Sequence, residues 1–350
     1  MNARADQGRW ADAALTAVLE RAGATAEEVG DRFPLYAGPG GPWTTTARGS
    51  WTGGCWAGLL WLRALATGAR EDEARARACT GRLEAWVDED TATRGLIFWY
   101  GTALGADVAG DPGSAALRER AARACLAAYD EGAGVVPWGA AFGGERLLAR
   151  ADSVPGLVPL LSSTEDGARA ALAHLRTHLR LCGAADPAPP QPAWRRAGEG
   201  WRPCAVPPQG WSRTEGWLLL GAADASHHVP DAADDATWAA VERFAGRRLA
   251  HGAPLVPRDA GGPPDTSAAA IEAVAALKLA RLRGETWLLR RADAALRELT
   301  LRHVDDRAAL LDGCYDTHAG IATRHELIWG DFFLALGLAV LTGLVDPFAT

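Results

Sequence analysis

The chain has 350 residues, 48% of them hydrophobic and 23% charged, an ordinary globular balance with ample apolar material for a buried core. Its formal charge of -7 excludes a broad phosphate-binding surface, and so nucleic acid, as a partner. No run of 18 apolar residues is present, which excludes a helical membrane span and a membrane partner.

Helical periodicity dominates, and no strand pair is expected. In chain order, helices are predicted near 9–22, 55–67, 72–88, 96–108, 114–129, 154–163, 166–181, 211–226, 235–252, 266–282, 285–301 and 328–343. The opening MNARADQGRW has no apolar core of a secretory leader. None of the six cysteines forms a C-x-x-C pair or a Cys/His cluster, so structural zinc is not expected and a reduced, cytoplasmic protein is. Two long loops, Gly183 to Gly210 and Gly252 to Pro264, interrupt the helices, and loops of this length are often functional. The first carries Trp194, Arg195, Arg196, Trp201 and Arg202, which argues against plain disorder.

Every second helix has a distinctive start. Trp51-Thr-Gly-Gly precedes the second helix, Thr91-Ala-Thr-Arg-Gly the fourth and Ala151-Asp-Ser the sixth. Gln209-Gly-Trp-Ser-Arg surrounds the eighth start, Asp265-Thr-Ser precedes the tenth and Arg324-His-Glu the twelfth. The intervening helices begin more blandly. Self-similarity at the length of a helical hairpin points to a repeat architecture. The fold class expected is all-α, an (α/α)6 barrel of six hairpins spanning residues 1–350 as one domain; an open superhelix is the alternative. In a closed ring the six inner helices begin at one mouth, where unpaired N–H groups favour an anionic ligand.

These starts resemble family 88 glycoside hydrolases, the unsaturated glucuronyl hydrolases. Trp51-Thr-Gly-Gly-Cys-Trp-Ala-Gly-Leu-Leu-Trp-Leu resembles the family's first signature, and Ala151-Asp152-Ser153 with Pro159-Leu-Leu its Ile-Asp-Thr segment. Gln209-Gly-Trp-Ser-Arg-Thr-Glu-Gly-Trp217 resembles a shortened form of its Gln-Gly…Trp-Ala-Arg-Gly-Gln-Ala-Trp stretch. Asp265-Thr-Ser-Ala-Ala-Ala-Ile and Leu327-Ile-Trp-Gly-Asp-Phe-Phe are similar to two further segments. The resemblance implies acid/base hydration of a sugar bearing a C4=C5 double bond and a C5 carboxylate, with no metal or organic cofactor. It places the catalytic carboxyl at Asp152, where an N-cap role is the bland alternative.

Substrate-binding candidates are Trp51, Thr93, Arg94, Trp138, Gln209, Trp211, Arg213, Glu215 and His325. Trp211 and Trp138 offer sugar platforms, whereas Trp217 reads mostly as core. Arg213 matches the arginine of the Trp-x-Arg segment and suits either a substrate carboxylate or an ion pair. Gln209 suits a sugar hydrogen bond or a turn. Asp265 reads as an N-cap, and Trp329, Gly330 and Asp331 as packing near the ring's closure. His325 and Glu326 suit acid–base work or surface capping.

One departure stands out. Where the family carries a His-Asp pair, this chain has Ala92 and Thr93, followed by Arg94. The second family carboxylate is missing, with Glu145 or Glu215 as candidate replacements. Three functions therefore compete. The first is a glycoside hydrolase-like enzyme acting on an unsaturated or unusual uronic-acid conjugate. The second is a divergent enzyme of specialised metabolism performing acid/base addition, elimination or cyclisation on a small molecule. The third is a non-catalytic sugar-binding protein. The expected partner in each is a small molecule.

Overall fold

The computed structural model describes residues 3–183 and 188–350. The twelve predicted helices are all present. They are α1 (Ala3–Val29), α2 (Gly53–Thr67), α3 (Arg70–Arg82), α4 (Tyr100–Ala103), α5 (Pro112–Ala127), α6 (Leu157–Ser162), α7 (Gly167–Cys182), α8 (Thr214–His228), α9 (Asp235–Arg248), α10 (Thr266–Arg283), α11 (Thr286–Arg302) and α12 (Ile328–Thr342). Two π-helical stretches, Gly95–Trp99 and Leu104–Val108, extend α4 at both ends.

Composition sorts the helices into two layers. A helix that is apolar on all sides has nowhere to face but other helices. In α2, α8, α10 and α12 nearly every side chain is buried, whereas α3 buries only Ala76, Cys79 and Thr80. The even-numbered helices pack in sequence, α2 on α4, the Gly95–Trp99 stretch leading into α4 on α6, then α6 on α8, α8 on α10 and α10 on α12, and α12 returns to α2. The odd-numbered helices flank this ring; α1, for instance, lies against α2 and α12. The architecture is the closed (α/α)6 barrel, not the open superhelix. Gly54 shows how closely the inner helices approach. A Cβ there would lie 2.2 Å from the carbonyl oxygens of both Leu96 and Ile97, so the backbones of α2 and the α4 region touch.

The expectation of no strand pairing was wrong. β1 (Phe33–Ala37) lies between β2 (Trp43–Thr46) and β6 (Glu326–Leu327), pairing antiparallel with both. β3 (Leu148–Arg150), β4 (Ala193–Ala197) and β5 (Gly200–Pro203) form a second antiparallel sheet in that order. Strands of two to five residues are too short to display an alternating pattern. β6 also joins its sheet from the far end of the chain, so no local signal announces it. The hairpin of β4 and β5 occupies the middle of the long Trp- and Arg-rich loop, of which residues 184–187 lie outside the described residues.

Two buried ion pairs tie the ring together. Arg21 of α1 makes a bidentate pair with Glu326 at 2.9 and 2.7 Å. Lys278, the chain's only lysine, is wholly buried between the inner helices and donates to Asp224 at 2.5 Å. No helix among the described residues is long and apolar enough to cross a membrane.

Candidate functional site

A cavity of about 370 Å³ opens at the mouth where the inner helices begin. Trp51 enters it from the turn before α2, and Arg150 and Asp152 from the end of β3 and the turn after it. Trp211, Arg213 and Trp217 come from the start of α8. Asp259, ahead of α10, and Tyr315 to Thr317, ahead of α12, complete the far wall. A cleft with aromatic walls and convergent polar groups is the usual form of a small-molecule site.

Asp152 occupies a single 3-10 turn, Ala151–Ser153. It does not cap a helix: α6 begins after Gly156, whose left-handed φ of 70° suits glycine, and no side chain caps that start. The carboxylate instead accepts two hydrogen bonds from Arg150, Nε to Oδ1 and Nη2 to Oδ2, both 3.0 Å. The Arg150 guanidinium lies 4.2 Å over the ring centre of Trp138, a cation–π contact.

Two buried histidines hold this turn from behind. The Val136 N–H donates to His174 Nδ1 at 3.1 Å, which fixes the other nitrogen, Nε2, as the donor to the Ser153 carbonyl at 3.1 Å. His178 Nε2 lies 3.0 Å from the Ser153 hydroxyl, and its Nδ1 lies 2.7 Å from the His174 carbonyl. Burial drives both imidazoles toward the neutral form, His178 to about 4 and His174 well below its ordinary value. Their spacing, four apart on the apolar face of α7, was a sequence signal for this support that went unread.

Arg213 reaches the cavity but is heavily committed. It donates to Asp265 Oδ2 at 2.7 Å, to the Cys314 carbonyl, and to the Tyr315 carbonyl at 2.8 Å. Its guanidinium also lies 4.7 Å from the ring centre of Trp211 and 5.7 Å from that of Trp329. Asp265 is the N-cap of α10, accepting from the Ser267 N–H at 3.2 Å. Asp259 Oδ1 accepts from the Ser212 N–H at 2.9 Å and its hydroxyl at 3.1 Å, and Oδ2 from the Thr317 hydroxyl. Together these bonds bind the loop before α12 to the start of α8.

Of the predicted site residues, Trp51, Trp138, Asp152, Trp211 and Arg213 meet in the cavity, and Trp217 borders it from the core. The other five do not line it. Thr93 is buried against Thr91, its hydroxyl 2.9 Å from that of Thr91. Arg94 is buried too and donates to the carbonyls of Thr91 at 3.0 Å and Val87 at 3.1 Å, which makes it a loop clamp. Gln209 is exposed and donates to the Pro189 carbonyl at 2.6 Å. His325 packs edge-on against Tyr36.

Glu215 faces away, paired with Arg247 at 2.6 Å; burial, then the nearby Glu272, pushes its carboxyl up to about 7. Glu145 does not line the cavity either; it is exposed and lies 3.5 Å from Arg195. Glu326 is held by Arg21 away from the cavity. The cavity carboxylates that sequence reading missed are Asp259 and Asp316, and the missed cation is Arg150.

No family model matches the sequence, and no curated protein matches it. Solved structures do match. The fold is similar to that of the unsaturated glucuronyl hydrolase of Bacillus sp. GL1, with a TM-score of 0.80 over 94% of this chain and 96% of that one, at 23% identity. It is also similar to an unsaturated glucuronyl hydrolase specific for heparin, with a TM-score of 0.84 over 96% and 97% of the two chains, at 17% identity. A third similar structure is a mutant unsaturated glucuronyl hydrolase of Streptococcus agalactiae complexed with dGlcA-GalNAc6S, with a TM-score of 0.70, 96% and 92% coverage and 16% identity. At these identities the likeness establishes the (α/α)6 fold.

Proposed function

We propose that this chain is a divergent family-88-like glycoside hydrolase. Its substrate is an unsaturated or otherwise unusual uronic-acid conjugate, and Asp152 is the acid–base residue. The observation that carries this reading is the position of Asp152, which opens into an aromatic cleft on the fold shared with the unsaturated glucuronyl hydrolases. In the reaction, Asp152 delivers a proton to C4 of the double bond and accepts one from the water that adds at C5. The adduct then opens and releases the partner sugar, so the net change is addition of water and Asp152 is regenerated. Trp51, Trp138 and Trp211 supply faces for the sugar. The six cysteines are unpaired, which suits the cytoplasm as the working compartment.

The test is loss of the double bond's ultraviolet absorbance on incubation with unsaturated disaccharides. Wild-type turnover, reduced about 10²-fold or more in Asp152→Asn, is expected. No absorbance loss with any such substrate sinks the proposal.

One observation favours a second reading. The position of the family's second carboxylate holds Thr93, buried outside the cavity, so the chemistry at Asp152 runs without that partner. This suits an enzyme of specialised metabolism performing addition, elimination or cyclisation. Genes for polysaccharide lyases and sugar transporters beside this one support the first reading, and a biosynthetic cluster the second.

A further inference from the structure

Asp152 is engaged in a way that the proposed chemistry cannot use as it stands. Both of its oxygens accept from Arg150 at 3.0 Å. A carboxyl that carries the proton destined for a substrate carbon is neutral and gives up its ion pair, so the acid step requires Arg150 to withdraw. Arg150 has what it needs to let go. Its guanidinium bonds to Asp152 and otherwise rests on the Trp138 face, a contact that survives an in-plane turn of the guanidinium. Its side chain is 21% exposed and faces the cavity.

Arg213, the cavity's other guanidinium, contrasts in its exposure and in the number of its partners. It is 3% exposed, sits between two tryptophans and is tied to Asp265 and to two carbonyls of the loop before α12. Releasing it would leave the buried Asp265 carboxylate without its cation, a costly change.

We propose that Arg150 is a displaceable counter-ion and the anion-binding residue of the cavity. The carboxylate of an incoming sugar acid takes over the guanidinium fork, and the same movement frees Asp152 beside the substrate. Two planar carboxylates compete for one planar fork, a geometry that arginine serves and lysine does not. The substrate class follows: the site accepts sugars with a carboxylate close to the reacting bond, and neutral sugars leave Asp152 blocked. Arg150 is therefore a positioning and specificity residue. This inference rests on the reading of Asp152 as the reacting carboxyl.

The test is calorimetric binding of glucuronate against glucose, which differ at the carboxylate, to the intact protein. The wild type is expected to prefer glucuronate. Asp152→Asn removes the competing carboxylate and is expected to raise that preference about tenfold. Arg150→Met is expected to abolish it, and the double variant to behave like Arg150→Met. Should Arg150→Met fail to fold by circular dichroism, Arg150→Lys serves, with a preference well below wild type because the charge remains but the fork does not. A wild type without preference for glucuronate, an Asp152→Asn variant whose preference is unchanged or lower, or an Arg150 variant that keeps it overturns the proposal. Glucuronate has no double bond to hydrate, so failure of the absorbance assay sinks the hydrolase reading and leaves this measurement intact.

Discussion

Glu215 illustrates how one residue's surroundings set its behaviour. The family resemblance places it where glutamine is usual, and the structure seats it on a buried flank of α8 with Arg247 on one side and Glu272 beyond. Its carboxyl is pushed up to about 7, so the folded chain holds a proton that the unfolded chain gives up near the ordinary value of 4.5. The associated stability is complete below pH 4.5 and is lost as pH rises through 7. Glu215→Gln keeps the shape and cannot ionise. The difference in stability between variant and wild type is therefore expected to grow in the variant's favour from pH 5 to pH 8, by at most about 3 kcal/mol. Denaturant melts across that range check it, and a flat or falling difference means that Glu215 is ionised throughout. The same scale explains why Asp152 was legible in the sequence and Arg150 was not. A motif match pointed to Asp152, whereas the partnership with Arg150 depends on how β3 turns into the Ala151–Ser153 segment.

Among the elements, the inner helices carry the burden of closure, and α2 shows how. Its Gly-Gly start reads from the sequence as part of a signature. The reason for it is steric: at Gly54 the α4 region passes with its carbonyl oxygens where a side chain would stand. Gly54→Ala is expected to destabilise the protein by about 3 kcal/mol or more, since the obstacle is backbone and cannot swing aside. A midpoint in urea within experimental error of wild type contradicts it. Most of the helices were readable because thirteen or more residues give apolar periodicity room to show; the short α4 and α6 were readable only together with the helical turns beside them. The six strands were not, because each is short and the partners β1 and β6, like β3 and β4, lie far apart in sequence. One of these sheets is what carries Arg150 to the mouth.

At the scale of the whole molecule, α12 packing against α2 makes the ring continuous, and Arg21 with Glu326 locks the first helix to the start of the last. We propose that the chain is one cooperative domain, and calorimetry is expected to show a single thermal transition; two resolved transitions contradict that. By itself the sequence determined the twelve helices, their sorting into inner and outer layers, and the mouth where the signature residues gather, because these follow from local periodicity and from the distinctive start of every second helix. Only the tertiary structure decided which of the gathered residues face the cavity. Thr93, Arg94, Gln209, Glu215 and His325 share the signature segments yet turn elsewhere, toward partners that sequence spacing does not reveal. Arg213 spends its hydrogen bonds on carbonyls about a hundred residues away, and Arg150 is left as the cation with freedom to act. A side chain's direction and its competing partners are set by packing between distant segments, and that information exists only once the ring has closed.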